Sequence, residues 1–562
     1  MNNRILNGKL ALISLGCPKN QVDSEYIAGL LTDAGLEIVD DKSEANYIII
    51  NTCGFIEAAI REAIDAILSA GEEIGNGNLR NIIVCGCVAQ RFSEEIAESI
   101  PEVDAIVGAK SYYQIVDVIR YLDQVRLNSS DSNIDDLNTL STYSESVADN
   151  KINRNELSEN ISLKSDLSLD NLEFYNELEE GVSDNNSRAN SIVEKINKVK
   201  NNTDKAELKN RFNLNNALLL NKKYDDSSSL NRKDTLLVKS WEKADAIAHM
   251  KGKRLVSSKN YAYLKIAEGC AHHCTYCAIP QIRGPHISRP MEDVLAEART
   301  LIASGYHEII LVAQDLSYYG VDLYGYSRLN ELIEELLKNS ELKWLRCLYL
   351  YPQAINEHFI ELMQKDERLC PYVDLPIQHA SNKILKRMAR RESKEELRSL
   401  INNLRSKVPD ISIRTTVMLG FPGEDEQDFE ELKDFVGEIG FDNMGAFVYS
   451  AEQGTAAAKM PNQVDKDIAN RRYEEIMSIQ QEISYRKLKE RVGSRLEVIL
   501  EKKSDDGIFY IGRSKYEAPE IDNQIYILSQ VSDVELNKYY YVEIIDSDEY
   551  SLTGVIRDEF IK

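Results

Sequence analysis

The sequence predicts an α/β chain in three folded parts: an N-terminal open parallel α/β sheet, a central partial (β/α)6 barrel and a C-terminal small antiparallel β-barrel. Three observations carry that expectation. Short apolar runs alternate with segments of helical period over residues 1–121. Six such β/α units recur over residues 251–488, and residues 489–562 hold only short β runs parted by Gly and Asp. The 562 residues exceed what a single core organises. Their formal net charge of -25 argues against a chain that grips nucleic acid along its length, because phosphates need clustered Lys and Arg. No run of eighteen apolar residues occurs, so no membrane segment is expected. Met1 to Gly8 lack the apolar core of a secretion signal, and a cytoplasmic location follows as the expectation. In that reducing setting the nine cysteines read as metal ligands or free thiols, not disulfides.

In the first domain, residues 1–121, the runs 10–15, 47–50, 82–85 and 105–107 are the strands, with helical segments at 24–31 and 57–68. Cys17, Cys53 and Cys87 each fall just past one of the first three runs. Parallel strands end along one shared edge, so three thiols distant in sequence are expected to converge there and to hold three irons of a cubane cluster. A lone cysteine at a strand end is more often small apolar filler. The repetition in three successive turns favours ligands. Cys85 lies inside its run and reads as core, whereas Cys87 follows Gly86, where the chain can turn and expose a sulfur.

Residues 122–250 read as a polar insert. No proline occurs between Pro101 and Pro280, and Gly181 is the sole glycine between Gly108 and Gly252. Asn, Ser, Asp, Leu and Lys dominate; such text buries little and predicts an unordered linker, with transient helices over residues 191–212.

The central domain, residues 251–488, opens with a strand run at 261–267 followed by Cys270, Cys274 and Cys277, spaced CxxxCxxC. Three thiolates leave one iron of a cubane without a protein ligand, open to a small molecule. A zinc site with a distant fourth ligand, or thiols in a core, are the alternatives. Later runs at 308–313, 344–350, 372–375, 412–419 and 445–449 are followed by Gln314-Asp315, Tyr351-Pro352, Gln378-His379, Gly420-Phe421-Pro422-Gly423-Glu424 and Ser450. Polar or glycine-rich groups thus repeatedly face one mouth, where such barrels place function. Gly420 to Gly423 suit a tight turn on steric grounds and, at a mouth, let backbone approach a ligand. Glu268, Arg283 and Arg289 bring charge to which an amino-acid-like ligand can pair, although such charges are usually just solvated. The adjacent His272 and His273 read as loop filler, since neighbouring side chains in so short a loop rarely meet one metal.

The last domain, residues 489–562, shows strand runs at 495–500, 508–511, 525–528 and 540–545 behind a charged helix over 465–491. Acidic residues outnumber basic ones there, the wrong sign for phosphates and the right one for a basic protein.

With Tyr276 just before its last cysteine, the CxxxCxxC loop on a first barrel strand resembles the radical S-adenosylmethionine superfamily. Gly16-Cys17-Pro18-Lys19-Asn20, Asn51-Thr52-Cys53-Gly54-Phe55 and Gly86-Cys87-Val88-Ala89-Gln90-Arg91 resemble the methylthiotransferases within it. The runs Leu15 to Asn20, Asp374 to His379 and Gly512 to Asp522 are most similar to the branch that modifies an aspartate of small-subunit ribosomal protein S-twelve. The last domain resembles the TRAM domain. The resemblance spans the chain except the insert, which departs from the family's usual short connection. It implies two [4Fe-4S] clusters: a radical-generating one on Cys270, Cys274 and Cys277, and an auxiliary one on Cys17, Cys53 and Cys87 that holds or donates sulfur. It implies S-adenosyl-L-methionine bound at the open iron, with Tyr276, Gly420, Phe421, Pro422 and Gly423 as its contacts, and an electron donor such as a flavodoxin or ferredoxin. The implied reaction is methylthiolation of the aspartate β-carbon, whose C–H no side-chain base removes readily. Two other readings stay open: the same chemistry on a tRNA adenosine, and a non-enzymatic scaffold holding zinc. The acidic last domain weighs against nucleic acid as the direct substrate.

Overall fold

The computed structural model describes residues 5–74, 78–130, 188–196, 235–238, 250, 252–530 and 534–557, which form two compact units, one up to Ser257 and one from Ser258 on. In the first unit β1 (Lys9–Ser14), β2 (Glu37–Ile38), β3 (Tyr47–Thr52), β4 (Asn81–Gly86), β5 (Ala105–Gly108) and β6 (Leu236–Val238) make one parallel sheet in the order β2-β1-β3-β4-β5-β6. Helices α1 (Pro18–Asp33), α2 (Glu57–Glu72), α3 (Cys87–Arg91), α4 (Ser93–Ser99) and α5 (Ile115–Ser130) connect the strands. The central strands are buried throughout, which is why Ile48 to Ile50 and Ile82 to Val84 read as unbroken apolar runs and not as alternation.

Two pieces of the polar insert belong to this layer and stand apart from the unordered linker that its composition predicts. Residues 188–196 are helical, and Ala189, Ile192, Val193 and Ile196 join the core of Ile64, Ile67 and Ile96. Arg188 forks onto Glu102 with two hydrogen bonds of 2.7 Å. Four apolar residues at helical spacing suffice to seat one turn-rich face, and β6 adds a sixth strand on β5. Most of the insert lies outside the described residues. The unit boundary also falls later than residue 250, since Arg254 pairs with Glu25 of α1 at 2.7 Å and the Ser257 hydroxyl donates to Glu25 Oε1 at 2.7 Å.

In the second unit β7 (Tyr261–Lys265) is followed by the short β8 (Ala267–Glu268) and β9 (Ile287–Ser288), then β10 (Glu308–Val312), β11 (Trp344–Cys347), β12 (Tyr372–Asp374), β13 (Ser412–Leu419) and β14 (Asn443–Val448). Parallel ladders run β7-β10-β11 and β12-β13-β14. A Leu345–Leu369 bridge and a Leu350 N–H to Asp374 carbonyl bond of 2.9 Å join them into a six-stranded arc in chain order. Helices α6 (Met291–Ala303), α7 (Leu329–Leu337), α8 (Glu357–Lys365), α9 (Lys394–Lys407) and α10 (Glu426–Ile439) lie between strands. Capping boxes at Ser393/Glu396 and Asp425/Asp428 start α9 and α10. No described helix is long and apolar enough to cross a membrane.

Helix α11 (Lys466–Glu490), capped by Asp465, leads to a closed barrel of β15 (Arg495–Lys503), β16 (Tyr510–Ser514), β17 (Gln524–Ser529), β18 (Tyr539–Ser547) and β19 (Ser551–Ile556). The sequence runs anticipate four of these strands; β19, whose Leu552, Val555 and Ile556 are parted by Thr553 and Gly554, escapes the pattern. It closes the barrel by pairing parallel to β17, the remaining ladders being antiparallel. This barrel sits against the amino ends of the central strands. Tyr261 donates to Glu520, Tyr372 to Asp522, and Arg414 to Asp522, at 2.6–2.7 Å. Beneath them, the buried Glu308, Arg346 and Arg513 form one ion network that the partly exposed Glu501 joins.

Candidate functional site

The carboxyl ends of the arc converge on the cysteine loop. Cys270 and Cys274 are buried and Cys277 half-buried, none of them in a disulfide. The loop is pinned from two sides by three bonds at Thr275: its N–H donates to the Met388 carbonyl (3.1 Å) and its Oγ1 to the Arg387 carbonyl (2.8 Å), while Ala457 N–H donates to its carbonyl (2.8 Å). The backbone N–H groups of His272 and Ile279 point at the sulfurs of Cys270 and Cys277, each at 3.4 Å. Such donors stabilise thiolate and tune a cluster held by it. Burial pushes the Cys270 thiol up to about 11, so as a bare thiol it stays protonated at neutral pH.

Cys274 and Tyr276 share an apolar cluster with Met418, Phe421, Ile384 and Met388, with Cys277 and Tyr449 against its rim. Tyr276 meets Phe421 edge to face at 6.5 Å, and Phe421 meets Tyr449 at 5.5 Å. The structure therefore brings Tyr276 and the Gly420–Gly423 turn together at one mouth. That turn is held by Glu424, whose Oε2 accepts the N–H groups of Gly420 (2.8 Å) and Phe421 (3.2 Å) while Oε1 accepts from Arg472 (2.8 Å). Gly420 has φ +74°, and a Cβ there would lie 2.5 Å from that of Ala469 on α11. Its glycine answers first to backbone conformation and helix packing, before any ligand.

At this mouth the sequence named Asp315, Tyr351, Gln378 and His379 but not their partners, read His272 as filler, and passed over Arg390. His272 is no filler: its Nε2 lies 2.8 Å from the buried Asp315, and its ring stacks on Tyr351 at 4.0 Å. Arg390 lies over the Tyr351 ring, 4.3 Å from its centroid. Burial works against its charge, but Tyr276, Tyr351 and Cys274 beside it raise its pKa. Gln378 takes a left-handed φ of +68° four residues past β12 while its backbone still pairs with β13. Such strain persists where surrounding structure imposes it, often at functional sites. The Ser381 N–H donates to His379 Nδ1 at 2.9 Å, which leaves the proton on Nε2, facing Glu424 at 3.6 Å.

In the first unit Cys17 caps α1, Cys53 follows β3, and Cys87 opens α3. The three turns touch. A Cβ on Gly16 would fall 2.9 Å from the Cys53 sulfur, and one on Gly54 would fall 3.1 Å from the Cys87 carbonyl carbon. Cys85 is fully buried in the sheet. Among the described residues no three His, Cys, Asp or Glu groups close on a single-ion point. Cysteines that bind different irons of a cubane are not drawn onto one point, and sulfur-only donors on adjacent turns suit such a cluster in both units.

An open six-stranded arc with three cysteines at the end of its first strand, behind a parallel sheet and ahead of a small closed barrel, defines the class. Residues 264–436 match the radical SAM superfamily, residues 9–108 the uncharacterized protein family UPF0004 and residues 492–556 the TRAM domain. The chain is a radical SAM methylthiotransferase. It is 38% identical to ribosomal protein uS12 methylthiotransferase RimO of Acetivibrio thermocellus over 99% of both chains. It is likewise 38% identical to the RimO of Clostridioides difficile, over 97% of this chain and 98% of that one, and 36% identical to that of Lachnoclostridium phytofermentans. It belongs to the RimO family.

Proposed function

We propose that the chain methylthiolates the β-carbon of an aspartate in ribosomal protein uS12, in the cytoplasm, drawing electrons from a flavodoxin or ferredoxin. What supports the reading most is the meeting of the cysteine loop with Tyr276 and the Gly420–Gly423 turn at one mouth, in a chain similar from end to end to RimO proteins. Cys270, Cys274 and Cys277 would hold one [4Fe-4S] cluster, and Cys17, Cys53 and Cys87 a second. When bound, these clusters and S-adenosylmethionine supply a radical able to break an unactivated C–H bond, the sulfur that takes its place, and the methyl group.

The chain's own residues do the arranging. Tyr276, Phe421 and Tyr449 make an apolar wall that keeps water from the mouth. The N–H groups of His272 and Ile279 support anionic sulfur, and Glu424 keeps the Gly420–Gly423 turn in one conformation. The acidic last barrel favours a basic protein partner over RNA. Anaerobic incubation with reductant, S-adenosylmethionine and a sulfide source is expected to raise the mass of uS12 by one methylthio group in place of hydrogen. Modification of tRNA with uS12 untouched, or a colourless protein carrying zinc, would overturn the reading.

A further inference from the structure

The three cysteine-bearing turns of the first unit meet around one side-chain amide. Asn51, 2% exposed at the end of β3, donates from Nδ2 to the Asn20 carbonyl and to Ser24 Oγ, both at 2.9 Å. It thereby grips the first turns of α1, the helix that Cys17 caps. Asn20, 1% exposed, reciprocates: its Nδ2 donates to the carbonyls of Leu15 (2.7 Å) and Asn51 (3.2 Å). The Leu15 N–H reaches the same Asn51 carbonyl at 2.9 Å. On its other side the Asn51 Oδ1 lies 2.5 Å from where Gly86 would carry a Cβ, so the amide borders the turn that delivers Cys87. Cys53 stands two residues further on, just past the end of that strand.

A parallel sheet needs no amide here, because its ladders already pair the backbone. Two buried amides whose Nδ2 groups each make two hydrogen bonds fix one geometry at the cost of desolvation, whereas an apolar pair would fill the space without specifying it. Cluster ligands are known by geometry, and their supporting hydrogen bonds set it. We propose that the Asn20–Asn51 pair is the positioning device of the N-terminal cluster: it locks the turns of Cys17, Cys53 and Cys87 in mutual register. The inference rests on the assignment of those three thiols to one cluster.

The test uses the full chain with Cys270, Cys274 and Cys277 all changed to Ala, so that bound iron and the paramagnetic resonance spectrum report the N-terminal site. Asn51→Asp keeps the shape and removes both donors. Ile64→Ala, in the core of the same unit, controls for lost stability, which circular dichroism melting of the iron-free chain measures. Asn51→Asp is expected to lower iron per chain at least twofold and to shift the spectrum of what remains, while Ile64→Ala leaves both unchanged at an equal or lower melting temperature. Full iron and an unaltered spectrum in Asn51→Asp overturn the proposal, as does equal loss in Ile64→Ala. If Asn51→Asp does not fold, Ser24→Ala, which takes away one of the two Nδ2 acceptors, is read by the same criteria. A chain that also carries Cys53→Ala and keeps its iron and spectrum overturns the cluster assignment, and this inference with it.

Discussion

Cys270 and Cys53 separate two jobs that one overall activity would merge. Cys270→Ala takes a thiolate from the loop at the barrel mouth, and reductive cleavage of S-adenosylmethionine is expected to fall to background. Cys53→Ala alters only the other sheet's edge, so cleavage is expected to persist while sulfur insertion is lost. Quantifying 5′-deoxyadenosine and modified uS12 in the same reaction checks both; sulfur transfer by Cys53→Ala would remove the second cluster. The placement of Cys17, Cys53, Cys87 and the Cys270–Cys277 loop just past strands was legible because spacing and strand ends are local facts of the sequence. His272 was not, because its meaning lies in Asp315 and Tyr351, 43 and 79 residues away in sequence, which only the closing arc brings to it. Gln378 was named among the groups at the mouth, but its conformation was hidden, because no residue type announces a left-handed φ at a non-glycine position.

At the scale of elements, α10 offers a pH test. Asp425 caps the helix and also receives Lys383, and that hydrogen bond, with the Asp428 N–H, lowers its carboxyl to about 2. A depressed carboxyl pKa adds stability that is complete above the unfolded value of about 3.9 and fades as pH falls toward the folded one. Asp425→Asn keeps a competent cap but not the charge, so its melting temperature is expected to fall less steeply than that of the parent between those two values. Asp425→Ala, which loses the cap as well, is expected to cost about 1 kcal/mol near neutral pH. An unchanged acid slope in Asp425→Asn would discount the Lys383 pairing. Long periodic elements such as α2, α11 and β13 were legible. The two-residue β2, the three-residue β6 and β19 were not, because pairing partners and not their own patterning make them strands.

For the molecule as a whole, the order of three folded parts followed from where apolar periodicity changes. The seam between the last barrel and the central strands did not, since Glu308, Arg346, Glu501 and Arg513 read one by one as ordinary surface charges. Arg513→Ala takes one of two partners from the buried Glu308, and also the arginine from the partly exposed Glu501; it is expected to cost about 3–5 kcal/mol in denaturant unfolding. A loss below 1 kcal/mol would mean that the network is incidental. Seated where Tyr261, Tyr372 and Arg414 hold Glu520 and Asp522, the last barrel acts as a stopper in the floor of the arc. The cysteine loop lies at the opposite, carboxyl end of the arc, so closing one end and furnishing the other are tasks divided between two parts of one chain.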